Sequence, residues 1–265
     1  MRRAILLLLG ILAPRSPARG QDVEVAFERL EPEGERGGAA IVLIHGFRAH
    51  PFSDAQVHRA LRTDWQSADG ALGRALAPLG DLFALSYAQD ASIDEIAGAP
   101  DAEGLTLADH ARRLRAEGYE RVVLIGHSAG GLVARQLVED DPSSGVTQVI
   151  QVAAPNEGSG WGALERGGRA SQEPFVRSLS GEARAARRAL GKRIPEEVSF
   201  AVVVAAGAGA GDLVVRCESQ WPPDLRDAGI PAIRLTTTHF TVMRSPWTAE
   251  AIASLVERPP AREVR

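Results

Sequence analysis

The sequence contains six short runs that are apolar almost throughout and rich in valine and isoleucine. These runs lie at residues 39–44, 82–85, 122–125, 146–152, 198–206 and 230–235. Unbroken apolar character is typical of strands that are buried on both faces of a parallel sheet. Apolar residues at helical spacing occur at residues 105–117, 130–139 and 249–256. The alternation predicts βαβ units and an α/β fold, in which helices flank a mostly parallel central sheet.

Two segments depart from this alternation of buried strands and helices. Residues 23–30 alternate apolar and acidic side chains, which predicts an antiparallel strand at a half-exposed edge. Residues 156–193 are rich in glycine and contain an arginine- and alanine-rich helix near 181–190. We expect them to form a lid-like insertion over the strand ends, where open α/β sheets bind ligands. Because there is no internal repeat or long Pro/Gly-rich linker, residues 21–265 are predicted to form one domain.

Residues 1–20 have the character of a secretory signal peptide. Two arginines precede an apolar run at residues 4–13, which is shorter than the ~20 residues that a membrane-spanning helix needs. Small residues follow, and Ala18 and Gly20 are placed for cleavage before Gln21. The sequence therefore predicts a secreted or periplasmic protein, with an amphiphilic helix or an uncleaved anchor as the alternative.

Composition excludes several classes of function. The net charge is −4, from 30 basic and 34 acidic residues, so we expect no nucleic-acid partner. The single cysteine, Cys217, excludes an intrachain disulfide and a thiolate-cluster zinc site. The glycine-rich sequence GAGAGD at residues 207–212 lacks the dinucleotide fingerprint, and no paired-histidine metal motif occurs. We therefore expect chemistry without a cofactor or a metal.

Residues 121–135 (RVVLIGHSAGGLVAR) join an apolar strand to a helix through GHSAG at residues 126–130. In this context the G-x-S-x-G pattern predicts a tight turn that presents the hydroxyl of Ser128 at the edge of the sheet. Side chains at the two motif glycines would collide in such a turn, and Gly131 allows the helix to pack close to the strands. The N–H groups at the helix start favour negative charge beside the serine. Ser128 is predicted to be a nucleophile.

The motif is part of a wider resemblance, over most of residues 39–256, to α/β-hydrolases of the lipase and carboxylesterase kind. Matching segments follow the family's order: IVLIHGF at 41–47, QVAAPNEGS at 151–159, GDLVV at 211–215 and TTTHF at 236–240. The resemblance implies the α/β-hydrolase fold, with residues 156–193 as a small insertion after the sixth strand. It also implies an oxyanion hole made by the backbone N–H groups of Phe47 and Ala129, because acyl transfer needs donors where negative charge develops.

A serine hydroxyl needs a base, and the base needs a carboxylate to orient it. Of the six histidines, His239 is the only one that follows Ser128 in the sequence. It follows an apolar run and precedes the last predicted helix, so it is predicted to be the general base. Asp212 follows the apolar run at 198–206 in a glycine-rich turn and is predicted to be the acid. Glu157, one strand earlier, is the alternative acid.

Several residues near the predicted strand ends are candidates for substrate binding. They are His45, Gly46, Phe52, Trp161, Leu213 and Phe240. Aromatic residues close to the nucleophile favour an apolar acyl chain, and Trp161 in its glycine-flanked loop suggests a lid. By resemblance, His45 shapes the oxyanion loop by hydrogen bonding. His127 is expected to be a packing residue that faces away from the site.

The combined prediction is a secreted serine esterase or lipase that cleaves lipid-like or acyl esters through an acyl-serine intermediate. Its expected partner is a small-molecule ester or lipid, with transient contact at a lipid interface. An amidase, a transacylase or a lipid-anchor deacylase would use the same triad and is the alternative. A non-catalytic binding protein with a hydrolase fold is a further alternative.

Overall fold

The structure, a computed structural model, describes residues 23–30, 38–48, 53–159, 168–207 and 209–263. The predicted signal peptide at residues 1–20 lies outside the described residues. So do two of the substrate-binding candidates, Phe52 and Trp161, and the central part of the predicted insertion.

Seven strands form one sheet in the described part of the chain. They are β1 (Val25–Arg29), β2 (Ala39–Ile44), β3 (Asp81–Tyr87), β4 (Arg121–His127), β5 (Gln148–Val152), β6 (Ser199–Ala205) and β7 (Ala232–Leu235). Their order across the sheet is β1-β3-β2-β4-β5-β6-β7. β1 runs antiparallel to β3, and all other neighbouring strands are parallel. The predicted mostly parallel sheet with an antiparallel edge strand is confirmed.

Helices connect most of the strands. They are α1 (Ala71–Leu76), α2 (Ile93–Gly98), α3 (Leu107–Ala116), α4 (Ala129–Asp140), α5 (Glu173–Ser178), α6 (Gly181–Ala189), α7 (Cys217–Gln220), α8 (Pro223–Asp227) and α9 (Pro246–Glu257). Short 3₁₀ turns lie at Asp54–Gln56, Ala77–Leu79, Ala170–Gln172 and Val242–Arg244. No helix among the described residues has the length and apolar composition that crossing a bilayer requires.

The sheet is the middle of three layers, because its strands are apolar on both faces. Along β2, Val42 and Ile44 belong to the core that α2, α3 and α4 cover, whereas Ile41 and Leu43 belong to the core under α1 and α9. α1 and α9 also pack against each other, although most of the chain separates them. Burial on both faces explains why these strands are continuous apolar runs.

The segment at residues 156–193 follows β5, the fifth strand of the described sheet, rather than a sixth strand. The described residues hold one strand fewer before this segment than the family's count implies. Its described part includes α5 and α6. The ring of Phe175 in α5 is fully buried and stacks on that of Phe47, with 6.1 Å between centroids. The segment therefore contacts the loop after β2, and its role as a lid stays a prediction.

Candidate active site

Ser128 lies in the turn between β4 and α4 and has backbone angles of φ 53° and ψ −123°. This left-handed φ is uncommon for a residue with a side chain and marks local strain. The neighbouring glycines make the turn sterically feasible. A Cβ on Gly126 would lie 2.4 Å from the carbonyl oxygen of Gly130, and a Cβ on Gly130 would lie 2.3 Å from that of Ile44. The crowding at Gly130 therefore comes from the adjacent strand β2 rather than from the turn itself.

His239 and Asp212 meet Ser128 at this edge of the sheet. His239 Nε2 lies 3.0 Å from Ser128 Oγ, and His239 Nδ1 lies 2.7 Å from Asp212 Oδ2. All three side chains are buried, and Asp212 is fully so. The histidine is also fixed through its backbone, because its N–H donates to the carbonyl oxygen of Asp212 at 3.0 Å. Three residues from distant parts of the chain thus form one continuous line of hydrogen bonds.

A tight turn after β6 holds the carboxylate of Asp212 in place. Its Oδ1 accepts hydrogen bonds from the backbone N–H groups of Val214 at 2.9 Å and Val215 at 2.6 Å. Between them and the aspartate, Leu213 adopts φ 81°. Because Oδ1 is occupied by these two donors, Oδ2 is the oxygen that faces His239. The left-handed backbone at Leu213 is a second strained position in the site.

Phe47 and Ala129 are the two residues whose backbone N–H groups the resemblance implies as oxyanion donors. Ala129 is the first residue of α4, and Phe47 follows β2. Among the described residues neither backbone N–H finds a hydrogen-bond acceptor. Phe47 is partly buried, and the N–H of Ala129 is one of the donors that every helix leaves open in its first turn. Both N–H groups are therefore available to an anionic oxygen.

His45 and Gly46 are the first two residues of the loop after β2. The His45 ring is fully buried; its Nδ1 donates to the carbonyl oxygen of Gly46 at 2.8 Å, and its Nε2 accepts the N–H of Tyr87 at 3.3 Å. Both ring nitrogens are therefore hydrogen-bonded within the protein, one to the loop and one to β3. Gly46 touches the nucleophile, because a Cβ there would lie 2.6 Å from Ser128 Cβ.

The orientation of His127 differs from the expectation that it faces away from the site. Its ring packs against the ring of His239, with 4.8 Å between centroids, and edge-on against Trp65. The reason is that β4 directs His127 to the sheet face covered by α9, and the loop carrying His239 leads into that helix. Burial, and next the charge of His239, lower the pKa of His127 well below its ordinary value, although a backbone hydrogen bond with His239 acts in the opposite direction. His127 is therefore held neutral beside His239.

Of the remaining substrate-binding candidates, Leu213 and Phe240 are the two that stand on the protein surface next to the line of hydrogen bonds. Leu213 is 61% exposed and Phe240 is 55% exposed. The Phe240 ring contacts the ring of His239 edge-on, with 6.1 Å between centroids. Large apolar side chains exposed singly are common, but here each adjoins Asp212 or His239 in sequence. They form an apolar rim around the site.

The alternative acid does not reach the histidine. The backbone N–H of Glu157 donates to Ser219 Oγ at 3.1 Å, but no hydrogen bond or ion pair links its carboxylate to His239. Among the residues that the structure describes, no group of three or more histidine, cysteine, aspartate or glutamate side chains is arranged to hold a metal ion.

Two buried glutamines near the site were not predicted from the sequence. Gln89 follows β3, and Gln172 belongs to the 3₁₀ turn before α5; both are fully buried and hydrogen-bond to the loop after β2. Gln89 could have been suspected as a polar residue directly after a buried strand. Gln172 lies in an irregular segment, where no periodic pattern marks it.

Solved structures with similar folds have diverse functions. A lipase of Bacillus licheniformis in its mature form has a TM-score of 0.60 at 14% identity, over 88% of this chain and 97% of the lipase. A metagenomic carboxyl esterase has a TM-score of 0.54 at 15% identity, over 83% of this chain and 76% of that chain. A protein solved with the Pseudomonas quinolone signal, whose ring it cleaves, has a TM-score of 0.51 at 15% identity, over 89% and 95% of the two chains.

At these identities the likeness concerns the fold, and one fold carries many chemistries. No curated protein matches the sequence. A family model, described as the alpha/beta hydrolase family, matches residues 41–263, which include β3 to β7 and most of β2. The chain therefore belongs to the alpha/beta hydrolase family.

Proposed function

We propose that this protein is a serine hydrolase that cleaves carboxylic esters through an acyl-serine intermediate. The observation that carries the proposal is the line of hydrogen bonds from Asp212 through His239 to Ser128, at 2.7 and 3.0 Å. These distances lie within the reach that proton transfer between a nucleophile, a base and its orienting acid requires. The lipase and the esterase among the similar structures agree with this chemistry.

In the first half of the reaction, Ser128 Oγ attacks the carbonyl carbon of the ester while its proton passes to His239 Nε2. The carbonyl π electrons move to the oxygen, which becomes an oxyanion facing the N–H groups of Phe47 and Ala129. Asp212 keeps the other ring proton on Nδ1, so that Nε2 is free to accept. The tetrahedral intermediate then collapses, and the leaving alcohol takes the proton from Nε2.

In the second half, water replaces the alcohol. His239 Nε2 removes a proton from the water as its oxygen attacks the acyl carbon, and the same proton returns to Ser128 Oγ when the carboxylic acid leaves. The serine and the neutral histidine are restored. Each oxyanion donor contributes about 10²–10³ in rate in enzymes of this kind, so the geometry of the loop after β2 matters as well as the base.

The apolar rim favours an ester with a lipid-like or long acyl group. Leu213 and Phe240 present apolar surface to solvent next to the buried catalytic atoms. Burying about 100 Å² of such surface against an acyl chain would contribute about 2.5 kcal/mol. A substrate held at a lipid interface would bring these exposed apolar side chains into contact with that interface.

The test uses the purified chain with aryl esters of graded acyl length and a fluorophosphonate that labels active serines. Wild-type protein should hydrolyse the esters and become labelled, and Ser128→Ala should do neither. His239→Ala should reduce both rates by several orders of magnitude. A wild-type protein that neither labels nor hydrolyses any ester would contradict the proposal.

Two further substrates separate this function from its alternatives. An anilide of the preferred acyl group reports amidase activity, and an added alcohol acceptor reports acyl transfer. Esterase activity that exceeds both supports the proposal. Faster anilide cleavage, or transfer that outruns hydrolysis in water, would reassign the reaction while leaving Ser128 as the nucleophile.

A further inference from the structure

The loop after β2 is held by two buried glutamine side chains that come from different parts of the chain. Gln89 Nε2 donates to the carbonyl oxygen of Gly46 at 2.9 Å, and Gln89 Oε1 accepts the N–H of Arg48 at 3.0 Å. Gln172 Nε2 donates to the carbonyl oxygen of Arg48 at 3.0 Å and to Gln89 Oε1 at 3.1 Å. The two amides and the backbone of residues 46–48 therefore form one hydrogen-bonded unit.

This unit does not occupy the backbone N–H of Phe47. Gly46 O is occupied by Gln89 and His45, and Arg48 N–H and O are occupied by the two glutamines. Among the described residues the N–H of Phe47 has no hydrogen-bond acceptor. The two glutamines thus fix the carbonyl group of Gly46 and both backbone groups of Arg48, on either side of Phe47, and leave the Phe47 N–H available.

The planarity of the peptide bond connects these facts. The carbonyl of Gly46 and the N–H of Phe47 belong to the same peptide unit, and in the trans form they point in opposite directions. There are no cis peptide bonds in the described chain. A side chain that pulls Gly46 O toward itself therefore turns Phe47 N–H the other way. Gly46 lies against Ser128, at 3.2 Å from Oγ when a Cβ is placed on it.

We propose that Gln89 is a positioning residue that orients the Phe47 N–H as an oxyanion donor, and that Gln172 ties the segment after β5 to the same loop. This inference rests on the proposed function, since it concerns the donor that would stabilise the oxyanion. Gln89 acts through the peptide plane and touches no substrate. Gln172 secures Gln89 and Arg48 from the side of α5.

The arrangement also accounts for the burial of two glutamines. Burying a polar amide is unfavourable unless its hydrogen bonds are satisfied, and an apolar side chain would fill the same space at lower cost. Every hydrogen bond of the Gln89 side chain is directed at this loop or at Gln172. A role in the loop's geometry explains why both residues are amides.

Gln66 offers a matched control. It is also a buried glutamine with hydrogen bonds to the backbone, because its Nε2 donates to the carbonyl oxygens of Leu43 at 2.8 Å and Leu85 at 3.0 Å. Its Oε1 accepts hydrogen bonds from the backbone N–H and the hydroxyl of Thr63, and none of its hydrogen bonds involves residues 46–48. Replacing Gln66 by methionine therefore removes a comparable set of hydrogen bonds without freeing the Gly46–Phe47 peptide.

The experiment compares Gln89→Met, Gln172→Met and Gln66→Met for kcat, KM, melting temperature and the inhibition constant of an aryl boronic acid, which forms a tetrahedral anion on an active serine. Gln89→Met should lower kcat by about 10-fold to 100-fold, part of the effect of one oxyanion donor, with KM changed less than about 3-fold. Its boronate inhibition constant should rise in proportion. Gln172→Met should shift both quantities in the same direction by a smaller factor. Gln66→Met should lower the melting temperature but leave kcat within about 2-fold.

A second variant of Gln89 keeps the test decisive if the methionine protein does not fold. Gln89→Leu removes the same donor and acceptor with another apolar side chain, so it should lower kcat to a similar extent. Unchanged kcat and boronate binding in either folded variant would overturn the inference. So would equal losses in Gln66→Met. If Ser128→Ala stays active, the proposed function fails instead, whatever Gln89 does.

Discussion

Replacing Asp212 by asparagine is the most informative change in this site. In the wild-type protein Oδ1 accepts two backbone N–H groups, and Oδ2 accepts from His239 Nδ1 at 2.7 Å. Asparagine offers one oxygen and one NH₂ group, and it must choose which of them faces the backbone. Placing NH₂ against the N–H groups of Val214 and Val215 would leave two buried donors unpaired, at about 1–3 kcal/mol each. The oxygen will therefore stay with the backbone.

The NH₂ group then faces His239, and this reverses the histidine tautomer. Nδ1 must accept a hydrogen bond, so the ring proton moves to Nε2, which can no longer accept the proton of Ser128. The equivalent change in serine proteases lowers kcat by about 10⁴-fold. We expect a loss of the same order in Asp212→Asn. Because both backbone hydrogen bonds remain, its melting temperature should stay within a few degrees of wild type.

Asp212→Ala separates the two roles of the carboxylate. It abolishes both backbone hydrogen bonds, which should lower the free energy of unfolding by about 2–6 kcal/mol in total. Aryl-ester kinetics and thermal unfolding of wild type, Asp212→Asn, Asp212→Ala and Glu157→Gln make the comparison. Retention of more than a tenth of wild-type kcat in Asp212→Asn would refute the reasoning. A large loss in Glu157→Gln with Asp212→Asn silent would move the acid to Glu157.

Four other outcomes follow from the structure and the sequence. Gly130→Ala should lower the free energy of unfolding in urea by about 1–3 kcal/mol, because the new Cβ meets the Ile44 carbonyl at 2.3 Å; an unchanged midpoint would contradict this. Leu213→Gly should raise the melting temperature by relieving φ 81°, and should raise KM for long acyl esters more than for acetate; equal KM changes would remove Leu213 from the rim. Hydrogen bonds from Thr106 and then Arg112 lower the pKa of Asp109 to about 2. At this exposed helix start the ionised Asp109 contributes about 1 kcal/mol or less to the free energy of unfolding. This contribution is present above the unfolded pKa of about 4 and is lost as the pH falls through about 2. Asp109→Asn should therefore destabilise the protein at pH 7 and not at pH 2 in a melting series. Mature protein recovered from outside the cytoplasm should begin at Gln21 by N-terminal sequencing, and a chain that still carries residues 1–20 would refute cleavage there.

The strands were predictable because burial on both faces forces an unbroken apolar sequence, and this signal survives without any tertiary information. The short helices α1 and α2 gave no comparable signal. Segments of six residues are not stable alone and depend on packing against the sheet. The strand β3 extends beyond its apolar run, to Asp81 and Tyr87, because its pairing with β1 and β2 continues to those residues.

The site was partly predictable. The residues of the line from Asp212 to Ser128 follow from motif, order and position at strand ends, and the structure brings them together. The contact between His127 and His239 depends on which face of the sheet the loop before α9 covers. The amino-acid sequence alone does not reveal that face. The two glutamine amides bind backbone atoms, and hydrogen bonds to the backbone leave no mark in sequence spacing.

The packing of α1 against α9 has a consequence for when activity can arise during synthesis. The face of the sheet that contains Ile41 and Leu43 is closed by two helices from nearly opposite ends of the described chain. Until α9 has left the ribosome, that face has half of its cover, and the loop carrying His239 has no anchor on its C-terminal side. A nascent polypeptide is therefore expected to stay inactive until α9 has been synthesised and has packed on this face.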